Sequence, residues 1–196
     1  MFLSSMIPQP LAPRFDPALL SAAQRPQLSL IWGVRTPTQQ LLALFTWLAT
    51  RGERPLVFDG GNRFDGYFVA RMARRMAPRP ELALGRMRLS RAFTCYQLAQ
   101  LIEKADASLS PMLILDLLNT FYDESIPLRD VERLLTQVIS HLKRLAAVGP
   151  VIVGAREPRT MVKERWKLLE QLQLAADTSW MLRPPPGETI EQPRLL

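Results

Sequence analysis

Short runs of consecutive apolar residues alternate along the chain with longer segments in which apolar residues recur every three or four positions. The runs predict buried strands at residues 28–32, 55–59, 87–89, 112–116, 151–154 and 178–182. The periodic segments predict helices at residues 15–20, 38–50, 65–77, 94–105, 128–148 and 160–173. Because apolar strands that alternate with helices are typical of parallel sheets, the pattern predicts an α/β fold with an open, mostly parallel sheet flanked by helices on both faces.

Proline divides the chain into a core and two ends. The 196 residues include 17 prolines, which gather at both ends and between the predicted elements, while 47% of the residues are hydrophobic. The distribution predicts a proline-rich N-terminal tail at residues 1–13, one core domain at residues 14–183 and a proline-rich C-terminal tail at residues 184–196.

Cysteine and histidine are almost absent from the sequence. Cys95 is the single cysteine and His141 the single histidine, so one chain can form neither an internal disulfide nor a zinc site of several Cys and His ligands. The sequence begins without the pattern of a secretory signal and has no run of about 18 apolar residues. We therefore expect a cytoplasmic protein, nucleoid-associated if prokaryotic, with no membrane partner.

The net charge of +7 is concentrated in one quarter of the chain. Residues 51–100 contain ten arginines against four acidic residues, whereas residues 101–150 contain five basic against seven acidic residues. Such a basic segment is compatible with nucleic acid, an acidic partner or an anionic surface.

The segment from the first strand into the second helix has the layout of a phosphate-binding loop. In such loops a glycine-rich turn and a helix N-terminus surround phosphate, and a lysine and a Ser/Thr hydroxyl contact the outer phosphates and magnesium. Counting from Gly33, the second glycine is replaced by Thr38, the lysine by Gln39 and the Ser/Thr by Gln40. With one deletion the three positions fall on Pro37, Thr38 and Gln39, so neither register supplies the lysine. We expect no nucleotide cofactor, and a loop that lies against the sheet.

The order of these elements resembles the RecA/RadA recombinase family over about residues 15 to 183. Four segments carry the resemblance: FDPALL, VFDGGNRFDGYFVARMARR, MRLSRAFTCYQLAQLIE and LILDLLNTFYDESI. The last is similar to the Walker B strand of the family and the polar and aromatic positions that follow it. The resemblance implies a RecA-like core.

Residue by residue, the resemblance implies that catalysis has been lost. Asp116 retains the Walker B carboxylate and completes a degenerate nucleotide site with Gly33, Thr38, Gln39 and Gln40. The catalytic glutamate of the family falls at Gly61, and its sensor glutamine is replaced around Ala155 and Arg156. Because phosphoryl transfer depends on positioning and charge neutralisation, we expect no ATP hydrolysis and no resident metal.

Two basic segments are candidates for nucleic-acid binding. One corresponds to the second DNA-facing loop of the family and contains Arg156, Arg159, Lys163, Arg165 and Lys167 around Trp166; the other contains Arg71, Arg74 and Arg75. The first DNA-facing loop of the family corresponds to residues 121–130, which are acidic and would repel phosphate. Trp166 also fits a second interpretation, because it lies at helical spacing from Leu169 and would then pack in the core with its lysine neighbours merely exposed.

The sequence thus predicts a non-catalytic recombinase paralogue that acts as a binding or adaptor protein in homologous recombination or DNA repair. Its expected partner is a recombinase or a recombinase paralogue, with single-stranded DNA as a second partner, in a homo- or hetero-oligomer. One alternative is a regulator with the same fold that sequesters a polymerising protein, as the cell-division inhibitors resembling RecA do. Another is a weak ATPase whose missing lysine comes from a partner chain.

Overall fold

In the part of the chain that the structure describes, six strands form one sheet in which every neighbouring pair runs parallel. The computed structural model describes residues 15–159 and 163–182. Its strands are β1 (Leu28–Gly33), β2 (Leu56–Asp59), β3 (Arg88–Arg91), β4 (Met112–Leu115), β5 (Val151–Arg156) and β6 (Thr178–Met181). They lie in the order β3-β2-β4-β5-β1-β6, so β5 separates the strand that precedes the loop after Gly33 from the strand that precedes Asp116.

Seven helices within the described ranges cover the two faces of this sheet. They are α1 (Pro17–Ala22), α2 (Thr38–Thr50), α3 (Gly66–Met76), α4 (Pro80–Arg86), α5 (Cys95–Glu103), α6 (Leu128–Ala146) and α7 (Trp166–Ala175). Helices α1, α2 and α3 contribute to the hydrophobic core on one face, and α5, α6 and α7 to the core on the other. The predicted α/β fold with a RecA-like open sheet is therefore confirmed.

The central strands supply side chains to both cores because consecutive residues of a strand point to opposite faces. In β4, Leu113 belongs to the core under α2, whereas Ile114 belongs to the core under α6. In β5, likewise, Ile152 belongs to the core under α2 and Val153 to the core under α6. All four side chains are fully buried, which explains why these strands are apolar without alternation.

The predicted strands and helices are all present in the described residues, and the two largest differences are an additional helix between β2 and β3 and a later start of α7. Residues 80–86 form α4, where the sequence predicted only that Pro78 and Pro80 end the preceding helix. Pro80 is the first residue of α4, a position where its missing N–H has no partner in a helix anyway. Helix α7 begins at Trp166 after a 3-10 turn, Lys163–Arg165. The predicted tails at residues 1–13 and 184–196, and the start of the predicted helix at residues 160–162, lie outside the described residues.

Within the described part of the chain, no helix combines the length and the apolar character needed to cross a membrane.

Candidate functional site

Four of the strands end or lead into loops that lie together at the carboxyl edge of the sheet. Gly33 ends β1, Asp59 ends β2, Asp116 follows β4 and Arg156 ends β5. In open α/β sheets this edge is where ligands bind. The site is built around two fully buried carboxylates, Asp59 and Asp116.

Asp116 is held between two arginines from neighbouring loops. Its Oδ2 accepts a hydrogen bond from the Nε of Arg63 at 3.3 Å and lies 3.7 Å from the Nε of Arg156. The backbone of Asp116 is left-handed, with φ 51° and ψ 50°, and turns the chain directly after β4. We call this arrangement the arginine clamp; it consists of Arg63, Asp116 and Arg156.

Arg156 is fixed by partners on the segment after β4. Its Nη2 donates to the Oδ1 of Asn119 at 2.7 Å, and its guanidinium lies 5.8 Å from the centre of the Tyr122 ring. The Tyr122 hydroxyl donates in turn to the backbone carbonyl of Arg156 at 2.9 Å. Burial raises the pKa of Tyr122 well above its ordinary value, so the phenol remains a donor across the physiological range. Arg156, which the resemblance aligns with the sensor glutamine, thus points into the clamp with its side chain only 19% exposed.

Asp59 organises the turn that carries Arg63. One of its oxygens accepts the backbone N–H of Arg63 at 2.8 Å, and the other accepts the N–H of Phe64 at 3.0 Å and the Nε of Arg91 at 3.1 Å. The backbone of Arg63 is therefore bound to Asp59 while its side chain reaches Asp116. Three guanidinium groups, on Arg63, Arg91 and Arg156, balance the two buried carboxylates.

Gly61 has no room for a side chain. A Cβ atom at this position would lie 2.5 Å from the Cβ of Asp116 and 2.7 Å from its Oδ2, a separation that real Cβ atoms essentially never show. The space that the side chain of a catalytic glutamate at this position would need is therefore occupied by Asp116.

The loop from Gly33 to Gln40 offers few free donors to a phosphate. Pro37, buried at the start of α2, has no N–H, and the N–H of Thr38 donates to the carbonyl of Thr36 at 2.7 Å. Gln39 and Gln40 are exposed and Thr38 is half-buried. A Cβ at Gly33 would lie 2.5 Å from the carbonyl oxygen of Leu182, so the segment after β6 closes on the beginning of the loop.

A magnesium ion with a nucleotide does not fit these residues. The Oδ2 of Asp116 is shared by two cationic groups, which leaves one carboxylate oxygen, the buried Oδ1 without a hydrogen-bond partner among the described residues, as a ligand for a metal ion. Mg²⁺ needs several oxygen ligands in octahedral geometry, whereas the neighbours of Asp116 are guanidinium groups that repel a cation. In the described ranges, moreover, no group of three or more His, Cys, Asp or Glu side chains is arranged to hold a metal ion.

The predicted nucleic-acid residues after β5 do not form one exposed surface. Arg159, Lys163 and Lys167 are exposed, whereas Arg156 belongs to the clamp. Arg165 is only 5% exposed, and its guanidinium donates to the carbonyls of Phe121 at 2.6 Å and Ile126 at 2.8 Å. Arg165 therefore fixes the segment after β4 instead of facing solvent, which corrects the prediction that placed it with the exposed basic residues.

Trp166 follows the second of the two interpretations. Its ring is half-buried and packs against the core beneath α6 and α7. In the acidic segment after β4, hydrogen bonds from the Ser125 hydroxyl and N–H lower the pKa of Asp123, so this carboxylate stays charged. This region of the protein is of mixed charge and does not resemble a groove for a polyanion.

The second predicted surface is exposed throughout. Arg71, Arg74 and Arg75 all lie on the solvent side of α3. Three aromatic side chains that the sequence analysis did not single out are exposed at the starts of α3 and α5, with exposed fractions of 73% for Tyr67, which shares α3 with these arginines, 71% for Phe93 and 55% for Tyr96. Tyr67 and Tyr96 occupy first-turn positions of α3 and α5 outside the apolar stripe of each helix, which is the signal that could have identified them.

Substitution of Gly61 tests the fit between this glycine and Asp116. We expect Gly61→Ala to lower the free energy of unfolding by about 1–3 kcal/mol, because the added methyl group overlaps a fully buried side chain. Gly85→Ala is the matched control, since no heavy atom lies within 4 Å of the Cβ position there. Because Gly85 lies in helix α4, Gly85→Ala should leave the free energy of unfolding unchanged or raise it by up to about 1 kcal/mol. Urea unfolding followed by circular dichroism measures both, and equal effects of the two variants would contradict the assignment.

Substitution of Asp116 tests the clamp. Asp116→Asn removes the charge that neutralises Arg63 and Arg156, and we expect a loss of about 2 kcal/mol of stability, below the value for a fully buried pair because Arg63 is half-exposed. Glu124→Gln, an exposed change of equal charge, should leave the unfolding midpoint unchanged. An Asp116→Asn variant as stable as the parent protein would show that the clamp has no structural role.

Comparison of the chain with known proteins adds no family assignment. No protein-family model matches the chain, and no curated protein sequence matches it. The resemblance to recombinases rests on the residues quoted above and on the confirmed fold class.

Proposed function

We propose that the protein is a non-catalytic RecA/RadA-like paralogue that works by binding, as an adaptor in homologous recombination or DNA repair. The observation that carries the proposal is the arginine clamp. A carboxylate that would hold magnesium in an active relative is instead neutralised by Arg63 and Arg156, with Gly61 in contact beside it.

The clamp supports the loss of ATP hydrolysis in two ways. Catalysis of phosphoryl transfer requires a metal ion and a group that orients the attacking water. The negative charge of Asp116 is already neutralised by Arg63 and Arg156, and Gly61 leaves no space for a glutamate. A lysine donated by a partner chain would replace neither group, so the geometry favours a binding protein over a weak ATPase.

The outer edge of the sheet supports a protein partner. Among the described residues, strand β3 pairs with β2 on one side only, and Leu89 in its middle is 42% exposed. An unpaired strand edge can add a strand from another chain, and exposed apolar side chains mark interaction surfaces. A recombinase or recombinase paralogue is the partner that the resemblance implies.

The surface of α3 supports single-stranded DNA as the second partner. Arg71, Arg74 and Arg75 can contact phosphates, and exposed aromatic rings such as Tyr67 and Phe93 can stack on bases. Between Arg63 and Arg91 the only acidic residues are Asp65 and Glu81, so little negative charge opposes a polyanion there.

A pull-down from host lysate tests the adaptor role. We expect the tagged full chain to retain a recombinase or a recombinase paralogue both before and after nuclease treatment, because the proposed contact is between proteins. Loss of that partner after nuclease would mean that DNA tethers the two proteins. Capture of a polymerising cell-division protein instead, with division arrest on overexpression, would favour the regulator alternative, and failure to bind any recombinase or DNA would refute the proposal.

Fluorescence anisotropy with a labelled single-stranded oligonucleotide tests the DNA surface. We expect Phe93→Ala to weaken binding by about 1–3 kcal/mol through lost stacking. Arg74→Ala should lower the slope of log K against log salt concentration by about 0.7, the value for one phosphate contact with a single strand. Arg129→Ala, an exposed arginine of α6, is the matched control and should change neither quantity. If Lys163→Ala and Lys167→Ala weaken binding while Phe93→Ala and Arg74→Ala do not, the segment after β5 is the DNA surface.

A further inference from the structure

The amino edge of the sheet, opposite the arginine clamp, contains a cavity that the proposed function does not use. Its volume is about 670 Å³, within the range of about 300–1,000 Å³ that is typical of small-molecule sites. The polar side chains that line it are Arg54, Arg86, Arg88, Asp106, Ser108 and Ser110.

Strand register brings these residues together. Leu56 of β2 lies opposite Arg88 of β3 on one side and Met112 of β4 on the other. The N–H of Arg88 donates to Pro55 and the N–H of Leu56 to Pro111, both at 3.0 Å, so the three strands begin at one level. Arg54, Arg86 and Ser110 each precede these aligned positions by two residues. They therefore border one space although they come from three separate segments of the chain.

The charge of the cavity is unbalanced. Three arginines and one carboxylate residue, Asp106, line it, which leaves an excess of +2. Arg86 is half-buried and fixed, because its Nη1 donates to the carbonyl of Ala49 at the end of α2 at 3.1 Å. Like charges gathered at one place repel each other, and an anion that binds between them removes that repulsion.

The donors match phosphate chemistry. Guanidinium groups bind phosphate oxygens in a bidentate manner, and the hydroxyls of Ser108 and Ser110 are additional donors. Gly85 borders the cavity with no heavy atom within 4 Å of its missing Cβ, so the backbone there is open to a ligand. We propose that this cavity binds the diphosphate group of a small phosphorylated molecule, independently of the loop after Gly33 and of the protein partner.

Isothermal titration of the full chain with pyrophosphate, ADP and orthophosphate at constant ionic strength tests the site. We expect saturable binding of one pyrophosphate or one ADP per chain. Arg54→Ala and Arg88→Ala should each weaken this binding about tenfold or more, because hydrogen bonds to charged groups are strong. Both residues are exposed, so their truncation leaves the core intact. Arg133→Ala on α6, an exposed arginine far from the cavity lining, is the matched control and should bind like the parent protein.

The remaining outcomes separate the alternatives. Arg88→Lys keeps the charge but loses the bidentate geometry, so we expect an intermediate loss of affinity, and this variant also covers the case in which Arg88→Ala fails to fold. Orthophosphate bound as tightly as pyrophosphate would overturn the diphosphate assignment. Absence of saturable binding, equal losses in Arg133→Ala, or ADP binding that Arg54→Ala and Arg88→Ala leave unchanged would overturn the site. None of these results depends on whether a recombinase is captured in the pull-down, so the two proposals fail independently.

Discussion

Two buried carboxylates at the ends of neighbouring strands constrain the whole carboxyl edge of the sheet. A charge without water must be paired, because an uncompensated buried charge costs several kcal/mol. Asp59 and Asp116 obtain their partners from three different segments, with Arg63 after β2, Arg91 at the end of β3 and Arg156 at the end of β5. Each of these loops is thus held to another by an ion pair, and the ion pairs that join them lie within the chain.

This self-sufficiency has a chemical consequence. In the family that the chain resembles, the Walker B carboxylate is satisfied by a metal ion that comes and goes with the nucleotide. Here the partners of Asp116 are arginines of the same chain. Gly61 packs so closely on Asp116 that there is no room for a side chain at position 61. The ion pairs of this edge therefore do not depend on a bound ion, which suits a surface that must be present at all times.

The sequence predicted the elements well because their signal is local. Strand β4 and helix α2 follow from apolar runs and helical spacing within a few residues, and α2 was predicted with its observed ends. Helix α4 was missed because Pro80 marks the start of a helix as well as the end of one. The clamp could not be predicted, since Arg63 and Asp116 are 53 residues apart in sequence and nothing local to either shows that they meet. For the same reason Arg165 was predicted to bind nucleic acid, although its buried guanidinium donates to two backbone carbonyls.

Charge counting is limited by the same long-range contacts. The ten arginines of residues 51–100 suggest a single basic surface, yet the structure gives them different roles. Arg63 and Arg91 neutralise buried carboxylates at the carboxyl edge, whereas Arg71, Arg74 and Arg75 face solvent on α3. Arg54, Arg86 and Arg88 gather at the amino edge with one acidic neighbour. An arginine that is paired with a buried carboxylate has no net charge to offer an anionic ligand. The two edges of the sheet therefore use arginine differently: at the carboxyl edge it neutralises buried carboxylates, and at the amino edge it leaves an excess of positive charge that can attract an anion.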